Sequence, residues 1–201
     1  RLISSITDAD YRKICSTMMA RHKESLKTIP AAKSVHHGFI SGLLMHTATM
    51  LKTADFLAGL YGDIIDRSLL LAGRILNDFA KESEFTFSQL GLVTEYSVKG
   101  QLLGHLVMGA QEVAAIASEL GIPEDKSVLL QHMILSHHGE PEFGAAVKPI
   151  CAESELLSQI DMLDSRMEIY RETLAGLQVG EVSSRIFALD KRVFKPHELN
   201  G

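Results

Sequence analysis

With 201 residues, 46% hydrophobic and 22% charged, the chain has globular composition and enough length for one sizeable core, which excludes a disordered or low-complexity polymer. Its net charge of −5 argues against a broadly basic nucleic-acid surface, since phosphate-backbone binding rests on clustered Lys and Arg, and leaves room only for a local basic pocket. Cys15 and Cys151 are too few and too distant for a disulfide framework or a cysteine zinc site. No apolar run reaches the ~18 residues of a membrane helix, and no signal-peptide pattern opens the chain, so a soluble cytoplasmic protein is expected.

In chain order, Thr7-Asp8-Ala9-Asp10 predicts a helix start, followed at helical spacing by Tyr11, Ile14, Cys15, Met18, Met19, His22 and Leu26 over about five turns. A break around Pro30 and the run Val35-His36-His37-Gly38-Phe39 lead into a second helix over about 41–60. There His46, Met50, Ala54 and Leu57 share one face. Asp66 caps a third helix, whose stripe of Leu69, Leu70, Ala72, Ile75, Leu76 and Phe79 ends in Asn77-Asp78, with Lys81 three residues on. The period then fails through Phe85, Phe87 and Val93, which predicts a loop across the mouth of the core, with an extended stretch over 94–100.

A fourth long helix is expected over 101–120, with Leu102, Leu103, Leu106, Ala110, Val113, Ala117 and Leu120 inward and His105 on the edge of the stripe. Gly121 caps it, and Pro123-Glu124-Asp125 begins another that ends at Ser136-His137-His138-Gly139. Adjacent helical side chains point about 100° apart, so both imidazoles reach one site only where the helix unwinds, a freedom Gly139 supplies. The last long helix, about 151–174, is expected to bury Leu156, Leu157, Ile160, Leu163 and Met167 and carries Asp161 and Asp164. The expected architecture is all-α, one domain over 1–201 with its core at about 30–175 and an irregular or hairpin-like strap over 176–201.

Asn77 and Asp78 at the buried end of an apolar helix need compensation, because an unpaired buried charge costs several kcal/mol. Candidates to share a cation are His46, Asp78, His105, His137, His138 and Asp161, each in an apolar helical segment. Imidazole and carboxylate ligands suit Mn, Fe or Zn. A carboxylate such as Asp78 can bridge two ions ~3.5–4 Å apart, with Lys81 neutralising a phosphoryl oxygen. Singly, His46 reads as a core histidine, His105 as a helix-edge residue, Asp161 as a partner of Arg166 and Lys81 as a solvated cation. Jointly these readings are weak, and a phosphodiesterase centre is the stronger one.

The order His46, Asn77-Asp78, His105, His137-His138, Asp161 resembles the HD superfamily of metal-dependent phosphohydrolases, whose pattern is His, His-Asp, His, His-His, Asp. Within it the chain is similar to the YhaM-type 3′-to-5′ exoribonucleases over about 6–196. Pro30-Ala31-Ala32-Lys33, His36-His37-Gly38-Phe39, Gly42-Leu43-Leu44, Glu95-Tyr96-Ser97-Val98-Lys99-Gly100, Ile134-Leu135-Ser136 and Arg185-Ile186-Phe187-Ala188-Leu189-Asp190 carry that likeness. The resemblance implies an HD-domain helical bundle acting on RNA 3′ ends or small nucleotide phosphodiesters, away from membranes, with homo-oligomerisation left open. It also implies one or two divalent transition metals (Mn, Fe, Zn or Ni). Position 77, His46, Asp78 and Asp161 would take one ion; Asp78, His105, His137 and His138 would take the other. Asp78 and Lys81 would carry the catalysis, with Asp164 as an outer partner.

Two departures accompany the likeness. Full-length members carry an OB-fold nucleic-acid module ahead of the HD domain, and this sequence contains only the latter. Asn77 stands where the family has the histidine of its His-Asp pair, and an amide oxygen is a poor substitute for imidazole at a transition metal. The alternative to an active enzyme is therefore a degenerate HD domain that binds a nucleotide or partner with little or no turnover.

Overall fold

Helices dominate the residues described by the computed structural model, 2–24, 42–87 and 93–198. They are α1 (Ala9–Arg21), α2 (Gly42–Leu60), α3 (Arg67–Leu76), the single turn α4 (Lys81–Glu84), α5 (Val98–Leu120), α6 (Glu124–Ser136) and α7 (Ala152–Ala175). The break expected at Pro30 and the run through His36-His37-Gly38-Phe39 lie outside the described residues. No helix among those described is long and apolar enough to cross a membrane.

The bundle is built around α3. Asp66 starts it, its carboxylate accepting from the N–H groups of Ser68 at 2.7 Å and Leu69 at 3.2 Å. Every residue from Ser68 to Leu76 is buried, because α1, α2, α6 and α7 all pack on this one helix. Leu70, Leu71 and Leu76 share the main core with Ile14 and Met18 of α1, Met50 of α2, Leu130 and Met133 of α6, and Leu157 of α7. Each such side chain contributes roughly 1.5–3 kcal/mol by leaving water. A helix buried on all sides must end inside the protein, so its C-terminal polar residues open onto the interior.

The stretch after Lys81 is more ordered than its lost periodicity suggests. β1 (Phe85–Phe87) pairs antiparallel with β2 (Val93–Tyr96), Phe85 facing Tyr96, with an irregularity between Thr86 and Phe87. α5 then begins at Val98 rather than 101, its N-cap Ser97 Oγ accepting from the Gly100 N–H at 2.9 Å. Gly104, at φ 69° and ψ 161°, breaks α5 near its start. That break changes the helical phase: Leu102 is 77% exposed, and the inward residues are His105, Leu106, Ala110, Val113 and Ala117.

On α7 the inward face follows Leu157, Ile160 and Glu168, leaving Leu163 and Met167 about half exposed instead of buried as expected. The tail is an irregular hairpin-like strap, as the sequence suggests. Isolated bridges join Val182 to Phe194 and Ile186 to Lys191, and Leu189 and Val193 pack on Ile169.

At the end of α1, His22 lies between two carboxylates, Nδ1 to Glu82 at 2.5 Å and Nε2 to Glu112 at 2.7 Å, tying α1 to α4 and α5. The Glu112 hydrogen bond, helped by Glu82 and opposed by burial, raises its pKa to about 9. A raised folded-state pKa gives stability that is fully present below the unfolded value of ~6.5 and is lost as pH rises through about 9. His22→Gln is therefore expected to lower the melting temperature at pH 6, with the gap to the native protein closing by pH 10. Melts across that range check it, and a gap independent of pH contradicts the arrangement.

Candidate metal centre

Six elements, α3 included, bring polar side chains to its buried end. His46 comes from the inner face of α2, Asn77 caps α3, and Asp78 follows it. Lys81 opens α4, His105 follows the Gly104 break, His137-His138 follow the end of α6, and Asp161 and Asp164 come from α7. The histidine pair leaves α6 as anticipated. The helix stops at Ser136, whose carbonyl accepts from the Gly139 N–H at 2.8 Å, and Gly139 takes φ 78°. The two rings then meet edge-on, with centroids 4.3 Å apart.

The side chains sort into two groups, each with ligand atoms within 4.8 Å of one another: His105, His137 and His138, and His46, Asp78 and Asp161. Asp78 joins them, one oxygen on each side. Its Oδ1 lies 2.9 Å from Lys81 Nζ, 3.6 Å from His137 Nε2 and 3.9 Å from His105 Nε2. Its Oδ2 lies 3.7 Å from His46 Nε2 and 3.4 Å from an Arg74 nitrogen. Burial pushes the Asp78 carboxyl up, but Lys81, His137 and Arg74 together hold it well below the usual carboxylate range.

In the first group the tautomers are set from behind. Glu84 accepts from His105 Nδ1 at 3.0 Å and from its backbone N–H at 3.1 Å, and the Ile134 carbonyl accepts from His137 Nδ1 at 2.7 Å. Both Nε2 atoms therefore turn toward Asp78 as acceptors. Those two nitrogens and His138 Nδ1 are buried and have no hydrogen-bond partner. Burial lowers the His105 pKa, and burial with the neighbouring His137 and His105 holds His138 down at about 3, which keeps these two rings neutral. Converging nitrogen acceptors with no donor between them fit a cation with affinity for imidazole.

The second group is already internally bonded. His46 Nδ1 meets Asp164 at 2.6 Å and Nε2 meets Asp161 at 3.1 Å. Burial pulls the His46 pKa down, but its bonds to Asp161 and Asp164 outweigh that and raise it. Burial likewise raises Asp161, yet the His46 hydrogen bond outweighs it and leaves Asp161 lowered. Asp161 is thus a partner of His46 rather than of Arg166.

Two residues here escaped the sequence reading. Arg74 has no solvent exposure, yet its guanidinium donates to Asn77 Oδ1, to Asp78 Oδ2 at 3.4 Å and to Thr47 Oγ1 at 3.3 Å. The available signal was its spacing, three and four residues before Asn77 and Asp78 on one helix. Glu84 gave no signal, because its partner His105 lies 21 residues away across the hairpin.

No family model and no solved structure matches the chain. Among curated proteins it is 39% identical over 197 residues to the 3′-5′ exoribonuclease YhaM of Oceanobacillus iheyensis, covering 97% of this chain and 61% of that protein. It is 38% identical over 192 residues to the YhaM of Bacillus subtilis and 36% over 192 residues to that of Listeria innocua, each covering 96% of this chain and 60% of the relative. The chain is related to the YhaM exoribonucleases, an HD-domain family. It spans about 60% of the length of these YhaM proteins.

Beside the centre of this YhaM relative lies a cavity of about 430 Å³, lined by His137, His138, Asp161, Phe143, Arg166 and Ala188 among others. Its size lies in the range of small-ligand sites. Phe143, 69% exposed, presents a ring at its rim, and Arg166 is a cation in its wall.

Proposed function

We propose that this YhaM relative is a metal-dependent phosphodiesterase of the HD class, acting on RNA 3′ ends or small nucleotide phosphodiesters. The observation that carries this reading is the set of three buried, unpartnered imidazole nitrogens, those of His105 and His137 facing one oxygen of Asp78, beside an open cavity. His105, His137, His138 and Asp78 would hold a divalent transition metal such as Mn, Fe, Zn or Ni, with His46 and Asp161 offering a second group. Such an ion, when bound, supplies Lewis acidity toward a phosphoryl oxygen and hydroxide at neutral pH.

The protein's own groups do the remaining work. Glu84 and the Ile134 carbonyl keep two imidazoles turned inward, an outer arrangement that typically accounts for 10–100-fold in metal affinity or activity. Lys81, nearly buried beside Asp78, orients that carboxylate and offers an ammonium to a phosphoryl oxygen. Arg166 pairs with a second phosphate, and Phe143 gives a base a face to stack on. The free thiols Cys15 and Cys151 suit a reducing cytoplasm. The relatives' name is an enzyme's name, and nothing among them favours binding without turnover.

The test uses 5′-labelled single-stranded RNA and, separately, bis(p-nitrophenyl) phosphate, each with Mn²⁺. The labelled RNA is expected to shorten from its 3′ end, to stay intact in EDTA, and to shorten again when Mn²⁺ is restored. Cleavage of the small diester alone would narrow the substrate to small nucleotides. Intact substrates with every divalent metal tried would overturn the proposal.

A further inference from the structure

A guanidinium sealed from water is among the costliest groups a protein can bury, and it persists only where anions and hydrogen bonds compensate it. Arg74 is such a group, and what compensates it belongs to one half of the centre. Its contacts are Asp78 Oδ2, Asn77 Oδ1 and Thr47 Oγ1.

We propose that Arg74 is a built-in cation that closes the His46–Asp78–Asp161 group, so that this centre holds at most one divalent ion, at His105, His137 and His138, although the described side chains form two potential metal groups there. The retained ion rests on the function proposed above; the closure rests on Arg74 and the bonding within that group, and is independent of the function.

Three observations carry the closure. The Asp78 oxygen facing His46 at 3.7 Å is the same oxygen that accepts from Arg74 at 3.4 Å, so the atom that would complete this group is already bonded to a positive charge. Both His46 nitrogens are hydrogen-bonded to aspartates, whereas the ring nitrogens of the other group that face its centre have no partner. Asn77, sealed beside Arg74, turns its amide oxygen to the guanidinium and leaves its Nδ2 without a partner. An amide oxygen is a neutral acceptor that tolerates an adjacent guanidinium, whereas an imidazole would have to present its unprotonated nitrogen to the same donor. The asparagine at 77 and the arginine at 74 are thus one feature.

Lys81 also pairs with Asp78, through the other oxygen and from the rim of the centre. Its unbranched stem can move aside for an ion, which the enclosed Arg74 cannot do.

The experiment counts Mn²⁺ bound per chain, by elemental analysis and calorimetric titration, on protein stripped with chelator and reloaded. The native protein and Asn77→His are each expected to bind one ion, and Arg74→Met/Asn77→His is expected to bind one more. Thermal melts give a second readout: added Mn²⁺ raises the melting temperature of the double variant by more than that of the native protein. If the double variant fails to fold, Arg74→Gln, which keeps length and hydrogen bonding while removing charge, is expected to show the same added ion. Two ions on the native protein would overturn the proposal, as would a folded Arg74 variant with the native ion count and the native melting response. No ion on the native protein but one on the variant would uphold the closure and sink the metal assignment to the three histidines.

Discussion

Asparagine in place of Asp78 is expected to reduce the proposed phosphodiester hydrolysis on the order of a thousandfold or more, the scale on which active-site groups that act as a unit fail. The side chain keeps its size, so the loss is one of charge. Asp78 Oδ1 faces Lys81, His137 and His105, while Oδ2 faces Arg74 and His46. A neutral amide weakens every one of these pairings. It also deprives the buried Arg74 of its anion, so the variant is expected to melt at a lower temperature. Comparison of initial rates with Mn²⁺, on protein whose circular dichroism matches the native form, checks the claim. A rate within tenfold of native would show that Asp78 is not central to the chemistry.

The second large effect is on stability and comes from Gly100. A Cβ built there lies 2.2 Å from the Glu84 carbonyl oxygen and 2.9 Å from the Glu84 carbonyl carbon and Cα, all backbone atoms that no rotamer change can move. Alanine must push α5 away from α4, at a cost of about 3 kcal/mol. Glu84 holds His105 through both its side chain and its backbone N–H, so the displacement carries to the centre. Loss of Mn²⁺ affinity by about 10–100-fold should accompany the lowered melting point. Gly59→Ala is the control, since nothing lies within 4 Å of a Cβ there and Gly59 sits within α2. Equal melting points for the two variants would contradict the packing described.

Much of this site is legible in the sequence because its members break a pattern. His46, Asp78, His105, His137-His138 and Asp161 are imidazoles and carboxylates in segments otherwise apolar at helical spacing, and the structure brings them within reach of one another. Arg74 was illegible for the opposite reason. A basic side chain in the last turn of a helix ordinarily favours the helix dipole and reaches for water, and only the enclosure of α3 from every side turns it inward. Glu84 lies where the helical period stops, and its partner becomes a neighbour only through the hairpin of β1 and β2. Leu102, assigned to the core by periodicity, is turned out by the φ of Gly104, a backbone choice that a count of apolar spacings does not register.

The donors of the centre come from residues 46 to 161 and from five different elements, so no short segment carries a complete set. An unfolded chain therefore presents them only as scattered weak ligands, and an ion bound in the centre selects the native form. By mass action, an ion at a hundred times its dissociation constant adds about 2.7 kcal/mol to folding. That is a sizeable share of the 5–15 kcal/mol that separates folded from unfolded domains. The stability of this protein, and so how long each copy persists, would then follow the concentration of free divalent metal around it.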